Sequence, residues 1–520
     1  SNDIKSGSGF SKVSNGNIVI KAQSIKQAVN PGIVEKISVY GKEYIVEDLL
    51  DENTGNWLDK NLLPEELQKL GVDGDYLTSV LKTTIQNSIP NDATNANAHN
   101  DTNFATVDIS NAILKASNSI DISATSKVDY IATNTTILDS MFTSSFGQMI
   151  EGAITGEKFD FEGARAKATV NINSGAELIS GGDVNLSSNA VANTLYKSAS
   201  KYAPGLDTTQ ELYYALGSKT VSSVDVMNGA KINAGNNLNL HAQSQNAHSI
   251  KIKNPTSTIG ATIDKVVGIP NIQVIILANQ VEADTAAAIH SGAIVEAANV
   301  EVDAVNHSSI SSNVQALANI TPDANSGAAV AVNINNTHIN TSALIDTEIN
   351  THGKGDVSVN AQNLYMGSTI AKADVTSDAP KKNFIDKMKS QILSKVVDKF
   401  AGLLDMGGNG PIIDTSGLPN VSVATVINDS NVNTNATIGK NASVHADNVK
   451  VNANTIDLTV NNATSNVKIE SKKDGSGSPG VSGFIPNPGV AVIVNEQNNS
   501  TKAVIESGTA SNHAIVVANN

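Results

Sequence analysis

The sequence of 520 residues contains no cysteine, which excludes disulfide bridges, thiolate zinc sites and a thiol nucleophile. Arginine is nearly absent, with Arg165 as the single instance, so two-pronged binding of phosphate or carboxylate groups is not expected. The 50 acidic residues outnumber the 35 basic ones, and the resulting formal charge of −15 argues against nucleic acid as a partner. No apolar run reaches the roughly 18 residues of a membrane helix, and we expect no membrane span.

Aromatic residues are also scarce, at 4% of the chain, and charged residues make up only 16%. Large globular cores usually depend on aromatic side chains, whereas a narrow core of Val, Ile, Leu and Ala does not need them. Asparagine, serine and threonine are abundant, which predicts an uncharged surface of amides and hydroxyls, as expected of an exported rod. No signal peptide opens the chain, which begins in a polar stretch and ends inside a repeat, so we expect a piece of a longer protein.

A motif of two short alternating strands around a tight turn recurs along the chain. Its clearest copy is TEINTHGKGDVSVNA at residues 347–361, in which buried-type and polar side chains alternate on both sides of the turn. The first strand usually carries a small, a large and a small side chain at every second position, as in Ala230, Ile232 and Ala234. The second strands of six copies begin at residues 120, 184, 238, 300, 357 and 449, so most steps are near 60 residues.

A second motif, an apolar run that ends in asparagine, keeps the same period. It occurs as VIILAN at 274–279, AAVAVN at 328–333, VATVIN at 423–428 and VAVIVN at 490–495. An alanine follows each asparagine after seven to ten residues: Ala286, Ala343, Ala436 and Ala503. We expect Asn333, Asn428 and Asn495 to occupy one position of the repeat, where their side chains cap a strand end and bond to turn amides.

This periodicity predicts an all-β solenoid, a parallel β-helix in which no unit buries its apolar face until neighbours stack on it. We expect three turns of about 20 residues in each repeat, with hydrogen bonds to the next turn at about 4.8 Å. About 350 residues of solenoid would then form roughly 17 turns and a rod of about 80 Å. An ordinary β-sandwich is the alternative, but it does not require six copies at one period.

Two regions are predicted. Residues 1–103 hold partial β-helix turns and a helical insertion at about 41–92, with one helix between Pro64 and Gly71 and a second capped by Asp75. In the first helix, Leu67 and Leu70 should share one side. Residues 104–520 hold the repeats, interrupted near 137–163, 200–218, 254–270, 376–418 and 471–488.

The interruptions mostly fall at one point of the repeat, which predicts helical and loop insertions along one flank of the solenoid. Asp207 and Gly217 are predicted to cap and to end a short helix, and residues 381–404 to form an amphipathic helix. The insertions either cover the apolar edge of the solenoid or form a partner-binding face.

No residue is assigned a catalytic, cofactor-binding or metal-binding role, and no cofactor is expected. Five histidines stand singly, without the spacing of a metal site: His241, His290, His338, His352 and His445. Calcium-loop, phosphate-loop and catalytic-serine motifs are absent from the sequence. The ligand-binding residues stay unassigned.

The repeats resemble those of filamentous adhesins that Gram-negative bacteria export by two-partner secretion, especially the leukotoxin family. The resemblance is carried by GAAVAVN from Gly327, GVAVIVN from Gly489, INSGAELISGGDVNLSS from Ile172 and MNGAKINAGNNLNLHAQ from Met227. It implies a long right-handed parallel β-helix on the cell surface or in the extracellular medium, exported through an outer-membrane transporter. It also implies a role in attachment or cytotoxicity.

The leading hypothesis is therefore a structural or binding segment of a large bacterial adhesin, without enzymatic activity. Such a segment would mediate or support attachment to host cells, other bacteria or biofilm matrix, through a glycan or protein receptor. The first alternative is a fragment of a leukotoxin-like cytotoxin. The second is a polysaccharide lyase or hydrolase, which needs paired carboxylates in a groove, often with basic groups and aromatic platforms that are scarce here.

Overall fold

The structure of the chain is a computed structural model. The structure describes residues 10–14, 16–30, 36–45, 47–49, 58–73, 76, 77, 80, 100–134, 162–198, 209–253, 271–320, 327–351, 355–377, 420–469, 489–507 and 513–518.

Over these residues the fold is all-β and mostly parallel, with one short α-helix, α1 (Glu65–Lys69), and one 3₁₀ turn, Glu47–Leu49. In chain order the strands are β1 (Phe10–Ser14), β2 (Ile18–Asn30), β3 (Lys36–Val39), β4 (Lys42–Ile45), β5 (Asn100–Ile109), β6 (Ala112–Ala116), β7 (Ile120–Asn134), β8 (Glu162–Ile172), β9 (Glu177–Ser180), β10 (Val184–Ser198), β11 (Thr209–Val226), β12 (Lys231–Lys253), β13 (Asn271–Ile289), β14 (Ile294–Ile320), β15 (Gly327–Ile345), β16 (Glu348–Asn350), β17 (Asp356–Ser377), β18 (Asn420–Ile438), β19 (Ser443–Ala446), β20 (Asn448–Ile469), β21 (Gly489–Ile505) and β22 (Ile515–Ala518). None of the helical segments in the described ranges is long and apolar enough to cross a membrane.

The strands form three stacked walls. One wall, the seven-strand sheet, has the order β5-β8-β11-β13-β15-β18-β21. A second sheet of thirteen strands divides into a short wall and a long wall. The short wall stacks β1, β6, β9, the start of β12, the start of β14, β16, β19 and β22, and the long wall stacks β2, β7, β10, the rest of β12, the rest of β14, β17 and β20. Every pairing within these walls is parallel, and among the strands that the structure describes only the small β3–β4 hairpin is antiparallel.

The pairing register follows the sequence period, but each repeat makes one pass around the three walls. Along the long wall, Ile120 pairs with Val184, Val184 with Leu238, and so on through Val300, Val357 and Val449, with separations of 64, 54, 62, 57 and 92 residues. The expected three turns per repeat are therefore wrong. The strands of the two large walls are long, up to 22 residues in β17 and β20, so a single circuit consumes a whole repeat. Seven levels at about 4.8 Å give a stack of about 30 Å over the described residues, instead of the expected 80 Å.

The interior is built by the alternation that the sequence shows. On the long wall, Leu238, Leu240 and Ala242 are buried, whereas Asn239 and His241 face outward between them. Parallel register places equivalent residues above and below, so a continuous column of Val, Ile and Leu fills the space between the walls. The small–large–small triplets lie in the short wall and in the residue directly before it. Ala230, Ile232 and Ala234 are all buried, and the small alanine side chains let the three walls approach closely at this corner.

The insertion expected at about 41–92 is only partly helical. It contains the β3–β4 hairpin, the 3₁₀ turn and α1, packed around a separate apolar cluster that includes Leu49, Leu67 and Leu77. The first helix follows Pro64 and ends before Gly71, as predicted. Leu67 is buried on it as expected, but Leu70 is exposed.

The start of the second helical segment is capped by Asp73, two residues before the predicted Asp75. The Asp73 carboxylate accepts a hydrogen bond of 2.9 Å from the backbone N–H of Tyr76. Asp75 itself lies outside the described residues.

The helix predicted between Asp207 and Gly217 is wrong, because residues from Thr209 onward belong to β11. Each of them is paired in parallel with β13, from Thr209 with Ile272 to Gly217 with Gln280 and beyond. A complete ladder of inter-strand hydrogen bonds thus outweighs the local capping signals. The insertions near 137–163, 254–270, 376–418 and 471–488, with the amphipathic segment 381–404, lie outside the described residues except at their ends.

Candidate binding surface

The outer faces of the walls carry ordered rows of amides and carboxylates. On the long wall, the Asn185 side-chain amide donates to Asp121 over 2.7 Å, and the Asn239 amide donates to Asn185 over 2.8 Å. Parallel register repeats the same position at every level, at a spacing that one side-chain hydrogen bond can bridge. The outer surface is therefore polar and its side chains are held in fixed directions.

An apolar patch interrupts this polar surface on the outer face of the long wall. It consists of Leu364 and Met366 on β17 and Ile456, Leu458 and Val460 on β20. Leu364 pairs with Ile456 and Met366 with Leu458, so the patch covers two neighbouring strands. Met366, Ile456, Leu458 and Val460 are 46%, 45%, 58% and 64% exposed, respectively.

The patch begins abruptly along the stack. On β14, the strand next to β17, the residues paired with Leu364 and Met366 are His307 and Ser309. Asn454 and Asn462 bound the patch on β20. Exposed apolar side chains scattered singly are ordinary, but a contiguous group on a polar wall is typical of a contact surface. We define these five residues as the apolar patch.

The histidines of the sequence analysis are spread over the walls and are not brought together. His241 on β12 bonds to Asp303 on β14, and His290, directly after β13, bonds to Asp225 on β11, each over 2.9 Å. The carboxylate partner raises the pKa of each ring. His338 bonds to Asn340, His445 is exposed on β19, and His352 lies outside the described residues. No group of three or more His, Cys, Asp or Glu in the described ranges is arranged to hold a metal ion.

The asparagine motif forms a ladder between the two large walls that is buried except at Asn495, and one predicted member of it is wrong. The residues in register are Asn279, Asn335, Asn428 and Asn495, whereas Asn333 pairs with Leu277 and Val426. The Asn279 amide donates to Asn335 over 2.7 Å and the Asn428 amide to Asn495 over 2.8 Å. These side chains lie within strands and face the interior, so the expected role as strand-end caps is wrong.

The distance in sequence between each asparagine and the alanine that follows it was sufficient to align the repeats correctly. Ala343, Ala436 and Ala503 are in register, and Asn335, Asn428 and Asn495 each precede them by eight residues. Asn333, the last residue of AAVAVN, precedes Ala343 by ten. The asparagine that belongs to the register is therefore Asn335, two residues further along the chain.

The sequence analysis also missed a buried histidine in this ladder, His248 on β12. Its Nε2 lies 3.0 Å from the Asn279 side-chain oxygen, and its Nδ1 has no hydrogen-bond partner among the described residues. Burial lowers the pKa of His248 to about 4, so the ring is neutral at pH 7. The alternation of inner and outer residues along β12 could have identified this histidine. It places four residues on the inner face: Ala242, Ser244, Asn246 and His248.

The buried ladder and the apolar patch have different chemical capacities. Asn279, Asn335 and Asn428 are buried between the walls, so their amides and His248 support the packing of the walls, whereas Asn495 is exposed. The patch is open and uncharged, and it can take up an apolar surface of a partner.

No protein-family model matches the chain, and neither a curated protein nor a solved structure matches it.

Proposed function

We propose that this chain is a right-handed parallel β-helix segment of a large bacterial adhesin, displayed on the cell surface or secreted. The observation that carries the proposal is the apolar patch on an otherwise polar, in-register wall. The stacked walls provide a stiff support, and the patch provides a contact for a receptor on host cells, other bacteria or biofilm matrix. The sequence resemblance to two-partner-secreted adhesins supports the same role and implies export through an outer-membrane transporter.

The size of the patch sets the strength of the expected contact. Covering the remaining exposed half of an aliphatic side chain contributes roughly 1 kcal/mol, so the patch would supply about 4 kcal/mol before the costs of association. A single contact of this kind is weak. Display of many copies on one surface would raise the effective affinity without any new contact.

The test is binding of the chain to a glycan array and to host cells, before and after the patch is made polar. The double variant Leu364→Asn, Met366→Asn alters β17 only, and its outward positions should leave the melting temperature within a few degrees of the parent. We expect it to lose most of the binding. The matched control is Val19→Asn, an outward valine on β2 of the same wall that is 55% exposed and pairs with Asp121 on β7, and it should bind like the parent.

Three results would contradict this assignment. The intact chain binds neither cells nor glycans, or the double variant binds as well as the parent, or the control loses binding equally. If only replacement of residues 381–408 by a Gly/Ser linker removes binding, recognition belongs to that insertion and not to the patch. Leakage of liposomes without cell attachment would favour the cytotoxin alternative.

A further inference from the structure

The small unit built from the β3–β4 hairpin and α1 carries two exposed tyrosines. Tyr40, in the turn of the hairpin, is 64% exposed, and Tyr76, after α1, is 36% exposed. The tyrosines on the walls whose side chains the structure describes are instead buried: Tyr130, Tyr196 and Tyr365. In a chain with few aromatic residues, two open rings therefore lie together on one unit with its own apolar core.

The two rings form a stacked pair. Their centroids are 5.6 Å apart, and the ring planes differ by only 6°. Parallel stacking covers one face of each ring, and the high exposure of Tyr40 shows that its other face is open to solvent. The pair thus presents a flat aromatic surface whose direction is fixed by the second ring behind it.

The backbone at Tyr40 is unfavourable for a tyrosine. Val39 pairs with Lys42, so Tyr40 and Gly41 alone form the turn, and their φ values are +51° and +82°. Two-residue turns with positive φ at both positions prefer Asn-Gly or Asp-Gly, because a bulky side chain rarely adopts this conformation. Stacking on Tyr76 offsets part of the cost, but asparagine would avoid it. A bulky residue held in such a conformation often marks a functional site.

Exposed hydrogen-bonding groups directly follow this turn. The Glu66 carboxylate on α1 accepts hydrogen bonds from the Lys42 ammonium group and from the Tyr44 hydroxyl, the latter over 3.2 Å. The Lys42 and Glu66 side chains are each 59% exposed, so both can also bond to a ligand. Because their charges cancel, the pair favours a neutral ligand rich in hydroxyl groups over a charged one.

We propose that Tyr40, stacked on Tyr76, forms a carbohydrate-binding platform. One face of a pyranose ring carries C–H groups of slight positive charge, which pack against the electron-rich face of the tyrosine. The sugar hydroxyls bond to Lys42 and Glu66. The turn offers room for about one or two sugar rings, far less than the roughly 800 Å² per partner of a stable protein interface. This inference does not rest on the proposed adhesin function, because the platform is separate from the apolar patch.

Saturation-transfer NMR on the full chain tests the platform, with cellotetraose and lactose as probes. The method detects weak binding and identifies the sugar protons that contact the protein. The parent should transfer saturation mainly to ring C–H protons, and sorbitol, which has similar hydroxyls but no ring face, should receive none. Tyr40→Asn should weaken binding about tenfold or more, whereas Tyr40→Phe keeps the ring and should bind like the parent.

The decisive variant should fold, because asparagine is favoured in this turn. The melting temperature of Tyr40→Asn should equal or exceed that of the parent. Leu62→Asn is the matched control, since Leu62 is also 64% exposed but lies outside the turn, and it should bind sugar normally. No binding of either sugar by the parent, equal binding by Tyr40→Asn, or equal loss in Leu62→Asn would overturn the proposal. The last result would favour a protein contact.

The two binding proposals have separate readouts. Binding through one aromatic face is weak and is lost when a glycan array is washed, so the receptor test does not report on the platform. The double variant Leu364→Asn, Met366→Asn should give the same saturation transfer as the parent. Loss of its cell attachment alone therefore concerns the apolar patch, and loss of saturation transfer in Tyr40→Asn alone concerns the platform.

Discussion

At the scale of single residues, the interior combines an apolar column with polar side chains that must find partners inside the protein. The asparagine ladder meets part of this need, because the Asn279 amide bonds to Asn335 and the Asn428 amide to Asn495, each across one strand spacing. Asn335 also donates to Thr369 on the opposite wall. The ladder thus joins the two large walls while it joins successive levels. A change at one rung leaves buried groups on both walls without partners, at a cost of about 1–3 kcal/mol for each group.

His248 makes the stability of this interior dependent on pH. Its pKa falls from the ordinary 6.5 to about 4 in the folded chain because burial disfavours the charged ring. The unfolded chain therefore binds the proton more readily than the folded one. The stabilising contribution is fully present above about pH 6.5 and is lost as the pH falls toward 4, with a total of about 3 kcal/mol.

We predict that His248→Gln weakens this acid sensitivity. Denaturant unfolding of the parent should lose up to about 3 kcal/mol more than the variant between pH 6.5 and pH 4. His241 and His290 act in the opposite direction, because their carboxylate partners raise their pKa values and favour the folded state at lower pH. Both are partly exposed, and they are unchanged in the variant, so the difference between the two proteins isolates His248.

The control for this experiment is His307→Gln, an exposed position on β14. It should follow the pH profile of the parent. Parallel profiles for the parent and His248→Gln would show that His248 is not buried as a neutral ring.

At the scale of elements, the turns between the seven-strand sheet and the short wall set the close spacing of the levels. Gly175, Gly229 and Gly292 stack at one corner with φ of +76°, +79° and +82°. The N–H of Gly175 donates to the carbonyl of Gly229 over 3.1 Å, and that of Gly229 to Gly292 over 3.0 Å. Glycine is required here because other residues rarely adopt this conformation and because the level below leaves no room for a Cβ atom.

Gly229→Ala should therefore destabilise the chain by about 1–2 kcal/mol, measured by urea unfolding. A Cβ atom at this position would lie 2.6 Å from the Ser174 hydroxyl, in addition to the unfavourable φ. Gly16→Ala is the matched change, because no atom lies within 4 Å of its Cβ position. We expect Gly16→Ala to be neutral or slightly stabilising. Equal effects of the two substitutions would contradict the assigned turn geometry.

At the scale of the whole molecule, the unit of stacking is one complete repeat. Val184, Leu238 and Val300 occupy the same position on three successive levels. Removal of residues 238–299 would therefore bring Val300 directly beside Val184 and leave a stack that is shorter by one level. In a stacked array the stability is close to a sum over units and their interfaces, so the loss of one interior unit does not abolish folding.

We predict that the chain without residues 238–299 still unfolds cooperatively and keeps its β-sheet circular dichroism signal. Removal of residues 238–257, which would be one turn if each repeat held three, should disrupt the stack because strands on the two large walls lose their register. The reverse result, with the short deletion tolerated and the long one unfolded, would support three turns per repeat.

The amino-acid sequence was sufficient to predict most of the strands, their period and their inner faces. Alternation of apolar and polar residues is a local property, and it correctly predicted the all-β parallel stack, the buried triplets such as Ala230, Ile232 and Ala234, and the level-to-level steps. Alternation has the same appearance whether a strand continues straight or bends every few residues. The number of turns in a repeat was therefore decided only by the hydrogen-bond partners in the neighbouring levels.

The remaining differences have the same origin. Residues from Thr209 onward form a strand because each of them pairs with a residue of β13. Asn335, and not Asn333, lies in the asparagine ladder because the register of β15 is set by pairing along its whole length. Likewise, no local pattern distinguishes Ile493, which is 48% exposed, from its buried partner in register, Val426. Strand pairing between levels joins two segments that are distant in the sequence. It is therefore determined by the tertiary structure and not by a local pattern.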